Sequence, residues 1–260
     1  MAYLKTETDT RGVTTITLNR PDHHNAMDRA FIDEFTATLS HLFSSNTRIL
    51  IIRATGKNFC AGADINWMKA SVKLSPEQNA ADAMALSNML DALNSFDRPT
   101  IARVSGAALG GGTGLVCCCD IVVADETAQF GFSEVRLGII PATISPYAIA
   151  AIGPRVARRY FLTGERIDAV EAYRIRLIHD VCSSDNMDRR VNEKVSALLA
   201  GGAMAQGASK KLIADVTGKP IDEQLRTTLS QRLAHIRAED EAQEGLAAFL
   251  EKRPTSWSKQ

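Results

Sequence analysis

The stretch Ser105-Gly106-Ala107-Ala108-Leu109-Gly110-Gly111-Gly112-Thr113-Gly114 joins a run of strand formers, Thr100-Ile101-Ala102-Arg103-Val104, to an apolar helix-like run, Leu115-Val116-Cys117-Cys118-Cys119. Three successive glycines leave backbone N–H groups uncovered by side chains. A helix that begins there points unsatisfied N–H groups outward with partial positive charge. Such a turn can hold an oxyanion or a polarised carbonyl. A tight turn selected for close packing is the plainer reading of the glycines alone.

The same pattern occurs once upstream. RILIIRA at 48–54 reads as a strand buried on both faces. It leads through residues 55–58 into Phe59-Cys60-Ala61-Gly62-Ala63-Asp64-Ile65, a second small-residue loop. Ala63 and Gly111 thus occupy corresponding places after two strands. If those strands are neighbours, the two N–H groups converge on one carbonyl oxygen. Removing one such donor typically costs about 3–4 kcal/mol of barrier.

Further out, residues 3–7 and 13–18 form a hairpin about a turn at 9–12. Asp28 caps a helix with an apolar face of Phe31, Ile32, Phe35, Leu39, Leu42 and Phe43. Ser75-Pro76 opens a second helix, which faces inward through Leu86, Met89, Leu90, Leu93 and Phe96. A strand follows at 120–124, a short extended piece at 129–132, and two helices at 141–152 and 154–162. Asp168 caps another helix, and 177–182 is the last strand. Beyond about 185 only helical patterns remain, over 186–200, 206–217 and 221–252. The alternation predicts an α/β class for the first three quarters and an all-helical end.

With 260 residues, 45% of them hydrophobic and 23% charged, the chain makes one sizeable domain, or a domain with an appendage. Thirty basic and thirty acidic residues balance, so no nucleic-acid partner is expected. Cys60, Cys117, Cys118, Cys119 and Cys182 fit neither a zinc site nor a disulfide framework. They suggest buried thiols in a reducing compartment. No signal-peptide pattern opens the chain, and Asp120 interrupts the longest apolar run, so no membrane segment is expected and the location expected is cytoplasmic.

Glu134 is the candidate acid/base. It follows an extended piece and precedes the mostly apolar 135–141. A carboxyl in an apolar cleft has a raised pKa, suited to proton transfer near neutrality. A surface glutamate paired with Arg136 is the alternative. His23 and His24 lie in a polar loop, His41 and His235 on amphipathic helices and His179 in a strand, none at metal-ligand spacing. No nucleophile elbow is present. Asp64 orients its loop or caps the next helix.

Asn19-Arg20-Pro21 with Asn25-Ala26, the 59–65 loop, 106–112, Phe130-Gly131-Phe132-Ser133-Glu134 and Leu137-Gly138-Ile139-Ile140-Pro141 together resemble the enoyl-CoA hydratase/isomerase (crotonase) family. Glu244-Gly245, Phe249 and 251–253 resemble its tail. The resemblance implies a crotonase-like spiral of repeated β-β-α units over 1–195 with an acyl-CoA site. It also implies a helical region at 196–260 that trimerises, often as a dimer of trimers. Coenzyme A is then part of the substrate, and no separate cofactor or metal is implied. By match of position, Ala63 and Gly111 supply the oxyanion-hole N–H groups and Glu134 the carboxyl. Ala26, Ala61, Ala63, Asp64, Ile65, Asn66 and Gly111 fall in the CoA-contacting parts. Phe249 and Lys252 are candidates to reach a neighbour's CoA site.

The chain departs from the family's two-glutamate hydratases at Gly114, where the first glutamate would fall. Dienoyl-CoA isomerases carry another acid where this chain has Ala142. Residues 110–115 and 133–138, with Pro141-Ala142 and Ile144-Ser145-Pro146-Tyr147, are similar to the methylglutaconyl-CoA hydratase branch. The expectation is a hydratase for a branched or glutaconyl-type acyl-CoA. Gly114 would leave room for the acyl group, and Arg136 and Tyr147 are candidate contacts for a substrate carboxylate. A Δ3-Δ2-enoyl-CoA isomerase using Glu134 alone, an acyl-CoA hydrolase and a non-catalytic oligomeric acyl-CoA-binding protein are the alternatives.

Overall fold

The computed structural model describes residues 2–259. Strands β1 (Leu4–Thr8) and β2 (Val13–Leu18) form the expected antiparallel hairpin. β2 then pairs in parallel with β3 (Ile49–Ala54), which pairs with β4 (Thr100–Val104), β6 (Ile121–Asp125) and β9 (Asp180–Cys182) in turn. Parallel strands need long crossovers, and helices supply them. The first three crossovers are α1 (Arg29–Phe43), α2 (Ile65–Ser71) with α3 (Pro76–Asn94), and α4 (Gly111–Cys117); the last, from β6 to β9, runs through α5 (Ser145–Thr163) and α6 (Ala169–Arg174). A small second sheet of β5 (Ala107–Leu109), β7 (Gln129–Gly131) and β8 (Ile167–Asp168) stands beside the first.

β3 explains why its run is apolar without interruption. Leu50 and Ile52 enter the main core with Phe31, Phe35 and Leu90. Ile49 and Ile51 face the other way, against Val191 and Val195 of α7 (Met187–Leu199). The expected division between 195 and 196 therefore falls inside a helix that packs on the sheet. The helices that leave the sheet are α8 (Ala203–Val216), α9 (Glu223–Ala238) and α10 (Asp240–Leu250).

Local signals set most helix starts. Asp28 accepts from the Phe31 N–H at 2.9 Å. Ser75 and Gln78 form a reciprocal capping box with Pro76 in the first turn. Asp168 caps α6 (Ala169–Arg174). α5 (Ser145–Thr163) begins four residues later than expected and breaks at Gly153, whose φ of 74° is not helical, so the two helical pieces of the sequence are present. Three expectations need correction. Phe43 is 55% exposed and lies off the buried face of α1. The last strand is only Asp180–Cys182, with His179 just before it. The predicted helix at 221–252 is two, parted at Glu239 by extended backbone.

Cys60, Cys118 and Cys119 are buried, and all five thiols are free. Burial pushes the Cys60 and Cys117 thiols up to about 12. They act as small apolar groups in the core. Among the described residues no helix is long and apolar enough to cross a membrane.

Candidate active site

β3 and β4 are neighbours in register, Leu50 opposite Thr100 and Ile52 opposite Ala102. The loops after them therefore leave the sheet side by side. They are bonded to each other: the Cys60 N–H donates to Ala107 O at 3.0 Å and the Leu109 N–H to Cys60 O at 2.9 Å. Gly112 permits this approach, since a Cβ there would sit 2.3 Å from Cys60 O. Gly62, at φ +94°, is held as closely, with Leu109 O 2.9 Å from where its Cβ would be.

This packing frees two donors. Ala63 bridges Met27 in parallel, but the bonds run through its neighbours: Met27 N–H to Gly62 O at 2.8 Å and Asp64 N–H to Met27 O at 2.7 Å. Gly111 opens α4, where a first-turn N–H has no helical acceptor. Among the described residues neither the Ala63 nor the Gly111 N–H has an acceptor. Both residues line one cavity of about 340 Å³.

Glu134 lines the same cavity. It follows β7 and starts a short 3-10 turn, Glu134–Leu137, and its Oε1 lies 3.2 Å from where a Cβ on Gly110 would be. Its Oε2 is buried and has no hydrogen-bond partner among the described residues. Burial raises its pKa above the ordinary carboxylate range, opposed only by its own backbone N–H. Among the described residues no arginine pairs with it, so the alternative of a glutamate bonded to Arg136 is not what the structure holds. Arg136 instead lies over Gly164, its Cγ 3.1 Å from where a Cβ would be.

Gly114 corrects the sequence expectation. It is buried, and a Cβ there would sit 2.5 Å from Ile144 Cγ2. Ile144 is itself buried and lines the cavity, so the space beside Gly114 is filled rather than open to an acyl group. Among the described residues Glu134 is the only carboxyl in the cavity wall, with Ser133, Thr143 and Arg166 as the other polar side chains. Neither Arg136 nor Tyr147 is in that wall; the cation that lines it is Arg166. Trp67, Met68 and Leu86, from α2 and α3, complete an apolar side that sequence periodicity could assign only to helix faces.

Ala61 joins Ala63, Gly111 and Glu134 in the wall. Ala26, Asp64, Ile65 and Asn66 lie on the flanking loops and the start of α2, outside it. Asp64 has the structural role expected: it is buried, accepts from the Asn66 N–H at 2.8 Å, and stands 3.7 Å from Arg20. Asn25 fastens the 19–26 loop by donating to Thr55 O and Asn58 O, both at 2.9 Å. His179 accepts from the Val122 N–H at 3.0 Å, and burial lowers its pKa. Phe249 is 81% exposed near the end of α10, and Lys252 follows it with φ at 55°. Neither lines the cavity of its own chain.

Two backbone donors and one carboxyl with an unpartnered oxygen in the wall of one cavity make an arrangement for stabilising an enolate and moving a proton. The comparisons agree with it. The sequence profile of the enoyl-CoA hydratase/isomerase family matches residues 8–260. The crystal structure of an enoyl-CoA hydratase from Shewanella pealeana is similar at 44% identity with a TM-score of 0.95, covering 98% of this chain and 96% of that one. The 2,3-dehydroadipyl-CoA hydratase of Escherichia coli is 32% identical over 93% of both chains. The crotonyl-CoA hydratase of Syntrophomonas wolfei is 30% identical over 92% of both. With the fold, the paired loops and nearly the full length in agreement, this crotonase-fold chain is an enzyme of the enoyl-CoA hydratase/isomerase family.

Proposed function

We propose that the chain is a hydratase that adds water across the 2,3 double bond of a branched or glutaconyl-type acyl-CoA. The carrying observation is the half-buried Glu134 carboxyl, its Oε2 buried and without a partner among the described residues, in one cavity with the Ala63 and Gly111 N–H groups. Those N–H groups hold the thioester oxygen and stabilise the enolate. With one carboxyl in the wall, Glu134 serves both ends of the addition. Its acid O–H delivers a proton to C2, the water oxygen bonds to C3, and the water's proton passes to the other carboxyl oxygen. The carboxyl ends the cycle protonated, as it began, and its raised pKa suits that role.

Methylglutaconyl-type substrates are supported by the likeness of 133–138 and 141–147 to that branch, and by a relative named for a dicarboxylic thioester. Ala26, Asp64, Ile65 and Asn66 border the mouth where CoA would lie. The apolar groove between α8 and α9, lined by Leu212, Leu225, Leu229 and Leu233, supports assembly into a trimer or hexamer. In that assembly Phe249 and Lys252 would serve a neighbour's CoA. The free thiols fit a cytoplasmic setting.

Mass spectrometry of 3-methylglutaconyl-CoA and crotonyl-CoA incubated with the enzyme in D2O tests the reading. Addition of one D2O is expected, faster with the branched substrate. Deuterium uptake without addition would remove the hydratase reading. It would favour a Δ3-Δ2-enoyl-CoA isomerase using Glu134 alone, a reading that Ile144 filling the space beside Gly114 also favours.

A further inference from the structure

We infer that Trp67 sets the shape of the acyl pocket and that Asp82 is the positioning residue that holds it there; this rests on the acyl-CoA cavity of the preceding section. Trp67 is half-buried and lines the same cavity as the paired loops. It lies on α2, a helix with no fully buried residue. Burial therefore does little to fix α2, and its place depends on polar ties. Asp64 caps its first turn, and the Asn79 side chain bonds Ser71 O at its end, at 3.2 Å. Between them the tie is Trp67 itself, whose Nε1–H donates to Asp82 Oδ2 at 3.0 Å.

Asp82 is on α3, and its other oxygen is held from α1, by Arg29 Nη1 at 3.1 Å. Arg29 is in turn anchored to Asp33 by a bond of 2.9 Å from its Nε. One carboxylate thus links three helices. α1 and α3 are buried in the core through Phe35 and Leu90, so Asp82 passes their rigidity to the indole. The plane of the indole then fixes part of the cavity wall, to which Met68, Leu86 and Ile144 also contribute. A rigid, flat wall discriminates acyl chains by branching and length, and leaves Ala63, Gly111 and Glu134 undisturbed.

The chain has two tryptophans, so a Trp257→Phe background makes Trp67 the only indole reporter. In that background butyryl-CoA is expected to shift Trp67 emission, and free CoA at the same concentration is not. Asp82→Ala is expected to move the resting emission to the red. It should raise the Kd for butyryl-CoA roughly tenfold, the loss of a hydrogen bond to a charged group, with kcat kept within about twofold. Asp82→Asn keeps an acceptor oxygen and should restore the Kd to within about threefold of the parent. Should Asp82→Ala destabilise the chain, Trp67→Phe severs the same tie while keeping an aromatic ring, and should raise the Kd likewise, read by calorimetry. Unchanged emission and Kd in Asp82→Ala, or a fall in kcat with Kd unchanged, would overturn the inference. An emission response to butyryl-CoA with no hydration of either enoyl-CoA would remove the hydratase reading and keep this one. Hydration with Trp67 emission blind to butyryl-CoA would do the reverse.

Discussion

Glu134 concentrates the chemistry of the site in one side chain, and its surroundings make two outcomes predictable. Replacing it with Gln removes the transferable proton and is expected to lower kcat by about a hundredfold to ten-thousandfold with acyl-CoA affinity kept, by steady-state kinetics against calorimetric binding. The same change acts on stability. Burial holds the folded carboxyl above its ordinary value of 4.5, so ionisation costs the folded state more than the unfolded. That penalty is absent below the unfolded value and complete once pH has risen through the raised folded one. Glu134→Gln should therefore raise the unfolding midpoint near pH 8 and leave it unchanged at about pH 3. The direction of the pH–rate profile separates the two chemistries. Hydration that starts from the protonated acid declines as pH rises through the Glu134 pKa. Proton abstraction from a 3-enoyl-CoA declines as pH falls through it.

At the scale of elements, the site is a contact between two strand–loop–helix units. The loop after β3 and the loop after β4 meet so closely that Gly62 and Gly112 leave no space for a Cβ. α4 meets the residue that precedes α5 in the same way, at Gly114 and Ile144. Gly114→Ala should destabilise by about 1–3 kcal/mol through overpacking. Ile144→Ala should cost about 2–5 kcal/mol as a cavity. The double variant is expected to cost less than the sum by roughly 1 kcal/mol or more, because each change relieves the other, as urea titrations of the four chains would read. This contact also explains why Gly114 could not be interpreted from sequence. A glycine shows that a side chain is absent and does not show what fills its place; here Ile144 does, thirty residues later in the chain.

For the whole molecule, the apolar surface left exposed lies mostly away from the sheet. Leu233 is 53% exposed, Leu246 51%, Phe249 81% and Leu250 78%, on α9 and α10. Patches of this kind mark association surfaces. Light scattering is expected to find a trimer or its dimer, and Leu233→Glu to shift the population toward single chains. The last two helices also show a break that local signals did not reveal. No glycine or proline stands near Glu239. The chain turns there, and the Glu241 carboxylate accepts from the Met204 and Ala205 N–H groups at 3.0 and 2.9 Å, capping α8. A tertiary bond that satisfies another helix's end outweighs the helical periodicity of 221–252.

Sequence by itself determined what depends on neighbours along the chain. Asp28, Ser75 and Asp168 cap the helices they precede, RILIIRA is buried on both faces, and the small-residue loops after two strands carry the donors at Ala63 and Gly111. Glu134 was legible as a candidate from the apolar segment that follows it, and its role came from the match of 130–134 to the family pattern. Tertiary structure alone decided that β3 and β4 are neighbours, that Ile144 fills the space beside Gly114, that Arg166 rather than Arg136 lines the cavity, and that Asp82 holds Trp67. Capping and periodicity are set within a turn or two of the backbone. The cavity is set by side chains that meet only after the sheet has brought distant loops together, and no pattern within one segment encodes which of them will meet.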